Sequence, residues 1–261
     1  MEDLFSVAGK VAVVTGGSRG IGLMIARGFV EAGARVYICS RSSTDCDAAA
    51  AELSKVGECV SAPADLSTLA GIDALVAAIG EREEMVHVLV NNAGVATGAP
   101  IDDFPEELWD RVFDINTKAV FYLISRMLPL MRRGASAETP GSVVNIGSVD
   151  GLSTPPVANF AYSASKAAVH MMTRHVAYAL VGDHINVNAI APGLFHTAMT
   201  RRTFEGSDPF GRIDSVPMGR TGTPEDIAGT TIYLASRASA FMTGAVLPLG
   251  GGFATIDRQG Q

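Results

Sequence analysis

The chain has 261 residues, 48% of them hydrophobic and 18% charged, with a formal net charge of −7. That length suits one large domain with a sizeable core, the composition excludes intrinsic disorder, and the charge argues against nucleic acid or an anionic membrane as the main partner. With no run approaching ~18 apolar residues, no basic and then apolar leader in Met1–Ser6, and three cysteines (Cys39, Cys46, Cys59) without a CxxC pair, the sequence reads as soluble and cytoplasmic, with no membrane span, disulfide framework or metal site.

Short β-rich runs alternate with longer helical stretches. The spacing predicts a strand at Val11–Thr15 and a helix near 20–32, then a strand at Arg35–Cys39 and a helix near 45–56. Next come a strand at Glu58–Ser61, a helix near 67–83, a strand at Val86–Val90 and a helix near 105–132. A strand at Ser142–Ile146, a helix near 159–181 and a strand at Ile185–Ile190 follow. After a long irregular stretch, 196–222, a helix near 224–236 and a strand at Ala245–Leu249 close the chain. Strands alternating with helices read as βαβ units on a parallel sheet covered on both faces, so the expected fold is a single α/β doubly wound domain. A loop as long as 196–222 inside a compact domain reads as a substrate lid.

Glycine is over-represented, with 28 residues. Gly16, Gly17, Gly20, Gly22, Gly94, Gly98, Gly147, Gly151 and Gly193 all fall near the C-terminal ends of predicted strands, where open α/β sheets bind ligands. The loop Thr15-Gly-Gly-Ser-Arg-Gly-Ile-Gly22 links the first strand to the first helix. Its spacing is GxxxGxG, and Gly16, Ser18, Arg19, Gly20, Ile21 and Gly22 are candidate contacts for a pyrophosphate at the helix N-terminus. The second strand ends at Ser40-Arg41, where NAD-binding chains usually carry an acidic residue. Arg19 and Arg41 would suit a 2′-phosphate, which favours NADP(H); alternatively both are ordinary surface cations. Asp65, with Leu66, follows the third strand. Asp65 is a candidate acceptor for the adenine amino group, or an N-cap for the helix from Ser67.

Tyr162-Ser-Ala-Ser-Lys166 has i, i+4 spacing, which places phenol and ammonium on one helix face. A tyrosine ordinarily titrates near pKa ~10, and moving it to ~7 takes about 4 kcal/mol of differential stabilisation, which nearby cations can supply. Ser148 ends a strand upstream and could hydrogen-bond a substrate carbonyl. Asn92, Ala93 and Gly94 end another strand and could line the cofactor cleft. Asn116 sits in a predicted helix, where asparagine is mediocre. Pro192, Gly193 and Thr197 follow the sixth strand.

These motifs, in this order from Val11 to Phe253, resemble the short-chain dehydrogenase/reductase family. The resemblance implies a Rossmann-type domain with a seven-stranded parallel sheet in the order 3-2-1-4-5-6-7, and a tetrad of Asn116, Ser148, Tyr162 and Lys166. Tyr162 would be the general acid in reduction and Ser148 would polarise the carbonyl. Lys166 would hold the nicotinamide ribose and lower the tyrosine pKa. Asn116 would hold a water that relays protons to Lys166. Phe195, through its backbone, and Thr197 would contact the nicotinamide carboxamide. Within the family, Leu128–Glu138 and Val181–Asn188 are similar to NADPH-dependent 3-oxoacyl reductases of the rhamnolipid-synthesis type. Gly250 departs from the family pattern, which commonly has aspartate there. Asp150, Phe160 and His196 are candidates for the substrate side.

The expected activity is hydride transfer between NADP(H) and a ketone or secondary alcohol, with a 3-oxoacyl thioester as one candidate substrate. Sugars, steroids and cyclic ketones are others. A non-catalytic NADP-binding sensor or scaffold and an epimerase or dehydratase are the competing readings. Stretches 116–131 and 159–181 are apolar on more than one face, which calls for a partner. The family resemblance implies a four-helix dimer contact and a homotetramer.

Overall fold

The computed structural model describes residues 2–200 and 216–256. Seven strands form one all-parallel sheet: β1 Val11–Thr15, β2 Arg35–Cys39, β3 Cys59–Ser61, β4 Val88–Asn91, β5 Gly141–Ile146, β6 Ile185–Pro192 and β7 Val246–Leu249. Their order is β3-β2-β1-β4-β5-β6-β7, as the family resemblance implied. The chain winds from β1 outward to β3, then returns beside β1 as β4 and winds the other way. The connections therefore diverge between the ends of β1 and β4, which opens a crevice there.

The helices are α1 Gly20–Glu31, α2 Ser43–Leu53, α3 Leu69–Gly80, α4 Glu106–Phe113, α5 Ala119–Gly134, α6 Phe160–Leu180 and α7 Pro224–Ala235. Alternation along β1 divides the core. Val11 and Val13 pack with Ile72 and Leu75 of α3, Leu123 and Met127 of α5 and Leu180 of α6. Ala12 and Val14 pack with Ile25 and Phe29 of α1, Leu53 of α2 and Ile227 and Leu234 of α7. Period-two side chains thus feed two apolar layers, each large buried side chain contributing about 1.5–3 kcal/mol of burial. No helix among the described residues is long and apolar enough to cross a membrane.

Two differences from the expected elements bear on the site. The stretch 105–132 is not one helix: α4 and α5 are separated by a π turn, Asp114–Lys118, which carries Asn116. Apolar spacing continues through the turn, so periodicity does not reveal it. The helix expected from Ser67 starts at Leu69, where the Thr68 hydroxyl accepts the Gly71 N–H. Asp65 does not cap it; its carboxylate instead accepts the Ser67 N–H and hydroxyl at 3.0 and 2.8 Å. Of the expected lid, 201–215 lie outside the described residues, while Phe195 and Gly222 form a parallel bridge.

Candidate active site

The crevice between β1 and β4 is stitched by one hydroxyl. Thr15 Oγ1 accepts the backbone N–H of Asn92 and Ala93 at 2.9 and 3.0 Å and donates to the Val90 carbonyl at 3.3 Å. Asn92 Nδ2 donates back to the Thr15 carbonyl at 2.8 Å. Gly16 has φ +66°, a left-handed conformation that glycine adopts without strain. A Cβ on Gly22 would stand 2.2 Å from the Gly16 carbonyl oxygen, so the loop folds directly onto the first turn of α1. Arg19 is the α1 N-cap residue and its side chain makes no capping bond. The first N–H groups of α1 are left without a side-chain cap, as a phosphate site requires.

Ser18 and Ile21 are half-buried in this loop, and Arg19 and Arg41 are exposed. Neither guanidinium is in an ion pair among the described residues. Asp65 is exposed beside them, next to the buried Leu66. Its carboxyl is held below its ordinary range, chiefly by the Ser67 N–H and hydroxyl, with the Arg41 charge adding. Backbone donors, an uncapped helix start and two unpaired arginines suit a dinucleotide with one additional phosphate.

The second group of residues converges from β4, β5, the π turn and α6. Lys166 is 5% exposed, its Nζ donates to the Ile146 carbonyl at 2.7 Å and lies 5.7 Å from the centre of the half-buried Tyr162 ring. Burial lowers the Lys166 pKa to about 8. Ser148 follows β5 and its Oγ accepts the Asp150 N–H at 3.1 Å, so its own proton is available to an acceptor in the cleft. A Cβ on Gly151 would meet the Ala167 nitrogen at 2.7 Å, which packs the Ser148 turn against α6 at Lys166. Asn116 is buried: Oδ1 accepts the Val95 N–H at 2.8 Å and Nδ2 donates to the Val95 carbonyl and Ser165 Oγ at 2.9 and 3.0 Å. Asn116 Oδ1 and Lys166 Nζ both face Gly94, 3.2 and 3.6 Å from where its Cβ would be.

Beyond β6, the Gly193 N–H donates to the Leu249 carbonyl at 2.9 Å. Phe195 is buried, and the Thr200 hydroxyl bonds to both its carbonyl and the Thr197 N–H. The Thr197 methyl lies 3.4 Å from the Cβ position of Gly20, so Thr197 borders the loop before α1. Gly250 sits in a closely packed place. A Cβ there would meet Val149 at 3.0 Å and the Phe253 carbonyl at 3.3 Å, and a Cβ on Gly193 would lie 2.7 Å from Gly250 Cα. A cavity of about 170 Å³ opens beside Gly250 and Gly251, lined also by Leu194, Phe195, Val216 and Met218.

A family profile described as enoyl-(acyl carrier protein) reductase matches residues 16–254. The chain belongs to the short-chain dehydrogenase/reductase family and is an oxidoreductase. It is 50% identical, over 97% of its length and 99% of the relative's, to the rhamnolipids biosynthesis 3-oxoacyl-[acyl-carrier-protein] reductase of Pseudomonas aeruginosa. The solved Pseudomonas aeruginosa RhlG/NADP active-site complex superposes with a TM-score of 0.94 at 49% identity, covering 97% of this chain and 100% of that one. A galactitol 2-dehydrogenase (L-tagatose-forming) from Cereibacter sphaeroides is 37% identical over 97% of this chain and 98% of its own.

Within this short-chain dehydrogenase/reductase frame, the structure gives partners to two asparagines that open the strand-end motifs Asn91-Asn-Ala-Gly94 and Asn145-Ile-Gly-Ser148. Asn91 and Asn145 sit opposite each other in the β4–β5 ladder, and Asn91 Nδ2 donates to Asn145 Oδ1 at 2.9 Å. Asn145 Nδ2 continues to Thr173 Oγ1 at 2.9 Å, fastening α6 to the sheet. An asparagine in each of two apolar strands was the available signal; their pairing depends on register. Of the substrate-side candidates, Asp150 is buried and accepts from Asn159 Nδ2 at 3.0 Å. Phe160 is 41% exposed and packs edge-on against Phe104, and His196 is exposed.

Proposed function

We propose that the protein is an NADP(H)-dependent reductase of 3-oxoacyl thioesters. The observation that carries the reaction type is the buried Lys166 ammonium beside Tyr162, on the helix face that meets the Ser148 turn. The 50% identity to a 3-oxoacyl reductase carries the substrate class. NADPH, when bound, supplies the hydride to the carbonyl carbon. Gly16, Ser18, Gly20, Ile21 and Gly22 hold its pyrophosphate, Arg19 and Arg41 its 2′-phosphate, and Asp65 and Leu66 its adenine. Asn92, Ala93, Gly94, Pro192, Gly193, Phe195 and Thr197 border its nicotinamide half.

Tyr162 gives its proton to the substrate oxygen, and Ser148 donates its free O–H proton to the same atom, which orients the carbonyl. Lys166 binds the ribose and favours the phenolate left on Tyr162. With its pKa near 8, Lys166 is cationic at pH 7 by about one unit. The Asn116 side chain bonds Val95 and Ser165, so we assign it to holding the Gly94 loop against α6, beside the relay water it would serve.

Phe121, Met171 and Tyr178 are exposed on α5 and α6 at 47%, 61% and 83%, which supports a homo-oligomer, and we assign a tetramer. We place the protein in the cytoplasm, as one domain. The galactitol 2-dehydrogenase relative favours polyol oxidation as the second reading. The test follows NADPH oxidation with acetoacetyl-CoA beside NADP⁺ reduction with galactitol. Turnover of the thioester supports the proposal. Turnover of galactitol alone selects the second reading, and turnover of neither overturns both.

A further inference from the structure

His170 lies on α6 one turn beyond Lys166, and no step proposed above uses it. Its side chain is 4% exposed. Nε2 accepts the Ser148 backbone N–H across 3.5 Å. The ring fills space beside two glycines that bracket Ser148. A Cβ on Gly147 would stand 2.1 Å from Nε2, and one on Gly151 would stand 3.0 Å from Cε1. The ring and the bare Gly147 backbone are therefore complementary: any side chain at 147 would need the ring to move.

An imidazole is a costly filler for that gap. Accepting at Nε2 puts the proton of the neutral ring on Nδ1, on the side of the Gly151 backbone. Burying the polar atoms of the ring costs more than burying a hydrocarbon of similar size. Burial lowers the His170 pKa to about 4, with the Lys166 and Arg174 charges adding and the Gly151 backbone opposing, so the ring is a neutral acceptor at pH 7. A neutral acceptor is what the Ser148 N–H requires. The segment it faces, Gly147–Gly151, bonds β6 at its start, where the Gly147 N–H donates to the Ile190 carbonyl at 2.7 Å, and then forms a short 3-10 turn, Val149–Gly151, capped by the Ser148 hydroxyl.

We propose that His170 is a positioning residue for Ser148, its ring seated in the gap left by Gly147 and setting where the turn after β5 places the Ser148 hydroxyl. This rests on the reading of Ser148 as the group that orients the substrate carbonyl. A displacement of about 1 Å at such a group costs on the order of 100-fold in rate.

The test compares His170→Leu, which fills the gap without an acceptor, with His170→Gln, whose amide oxygen reaches toward the same N–H. With acetoacetyl-CoA and NADPH, Leu is expected to lower kcat about 10- to 100-fold, with the Kd for NADPH held. Gln is expected to recover most of kcat. Wild-type kcat in the Leu variant, or a Gln variant no better than Leu, overturns the proposal. A thermal-stability cycle needs no substrate: Gly147→Ala lowers Tm by driving a methyl into the ring, and adding His170→Ala restores it. Additive losses in that cycle also overturn the pairing. Tyr162→Phe separates the two readings. If it is inactive while His170→Leu is unimpaired, only the positioning role fails; if it turns over normally, the catalytic reading beneath it fails.

Discussion

The two halves of the sheet's C-terminal edge are built from different atoms. Around β1, β2 and α1 the site is backbone: left-handed Gly16, the Gly22 contact with the Gly16 carbonyl, and helix N–H groups without a side-chain cap. Around β4, β5 and α6 it is side chain: Asn91 to Asn145 to Thr173, Asn116 to Val95 and Ser165, Lys166 to Ile146, and His170 behind Ser148. A backbone cradle recognises phosphate whatever the rest of the ligand is. Side chains fixed through a buried network hold a proton donor and a hydroxyl in one geometry, which chemistry on a carbonyl needs. Damage to the first half should show in cofactor affinity, and damage to the second in turnover.

Apart from loss of the Tyr162 hydroxyl, the largest effect expected tests the second half. Ser148→Ala should lower kcat by about 10²–10³-fold, the loss of one oriented donor, with the NADPH Kd unchanged by fluorescence titration. A matched loss of cofactor affinity would erase the division. His170 should also leave a trace in stability. The folded pKa is about 4 against 6.5 when unfolded, so as pH falls from 6.5 to 4 the unfolded chain takes up the proton first and the fold loses stability. That loss amounts to about 3 kcal/mol by pH 4. Denaturant titrations of His170→Leu should show a flatter acid limb over that window; an unchanged slope would place the loss elsewhere.

In the backbone half, Gly22→Ala puts a methyl against the Gly16 carbonyl. The overpacking, about 1–3 kcal/mol, should weaken NADPH binding about 10- to 100-fold while kcat at saturating NADPH survives. The smallest change belongs to Arg41→Asp. Losing one exposed cation and adding a carboxylate at the ribose should reduce the NADPH preference over NADH about tenfold, read as a ratio of kcat/KM values. A preference that stays whole would remove Arg41 from the 2′-phosphate site.

The same division explains what could be read from the chain alone. Backbone features leave a local trace, because a tight turn or close approach demands glycine at fixed positions; Gly16, Gly20 and Gly22 are adjacent in sequence and were legible. Tyr162 and Lys166 were legible for the related reason that one helix turn separates them. Strand order followed from the family resemblance, and Val11–Thr15 and Arg35–Cys39 begin and end where their apolar runs do. The π turn at Asp114–Lys118 leaves no trace in the apolar spacing. Asn145 meets Asn91 through a ladder register between residues 54 apart. In sequence His170 is one residue of the helical stretch 159–181, and the room for its ring is made by Gly147 on another element. Thr15 looked like a strand residue, and its three hydrogen bonds depend on β4 lying alongside.

Tyr162 is the proposed proton donor, within a cofactor site that forms without it. The direct test measures NADPH binding and acetoacetyl-CoA-dependent NADPH oxidation on the same preparations of the native enzyme and Tyr162→Phe. The prediction is an unchanged Kd for NADPH with turnover reduced by about 10²–10⁴-fold. Turnover by the Tyr162→Phe enzyme at the native rate would contradict it.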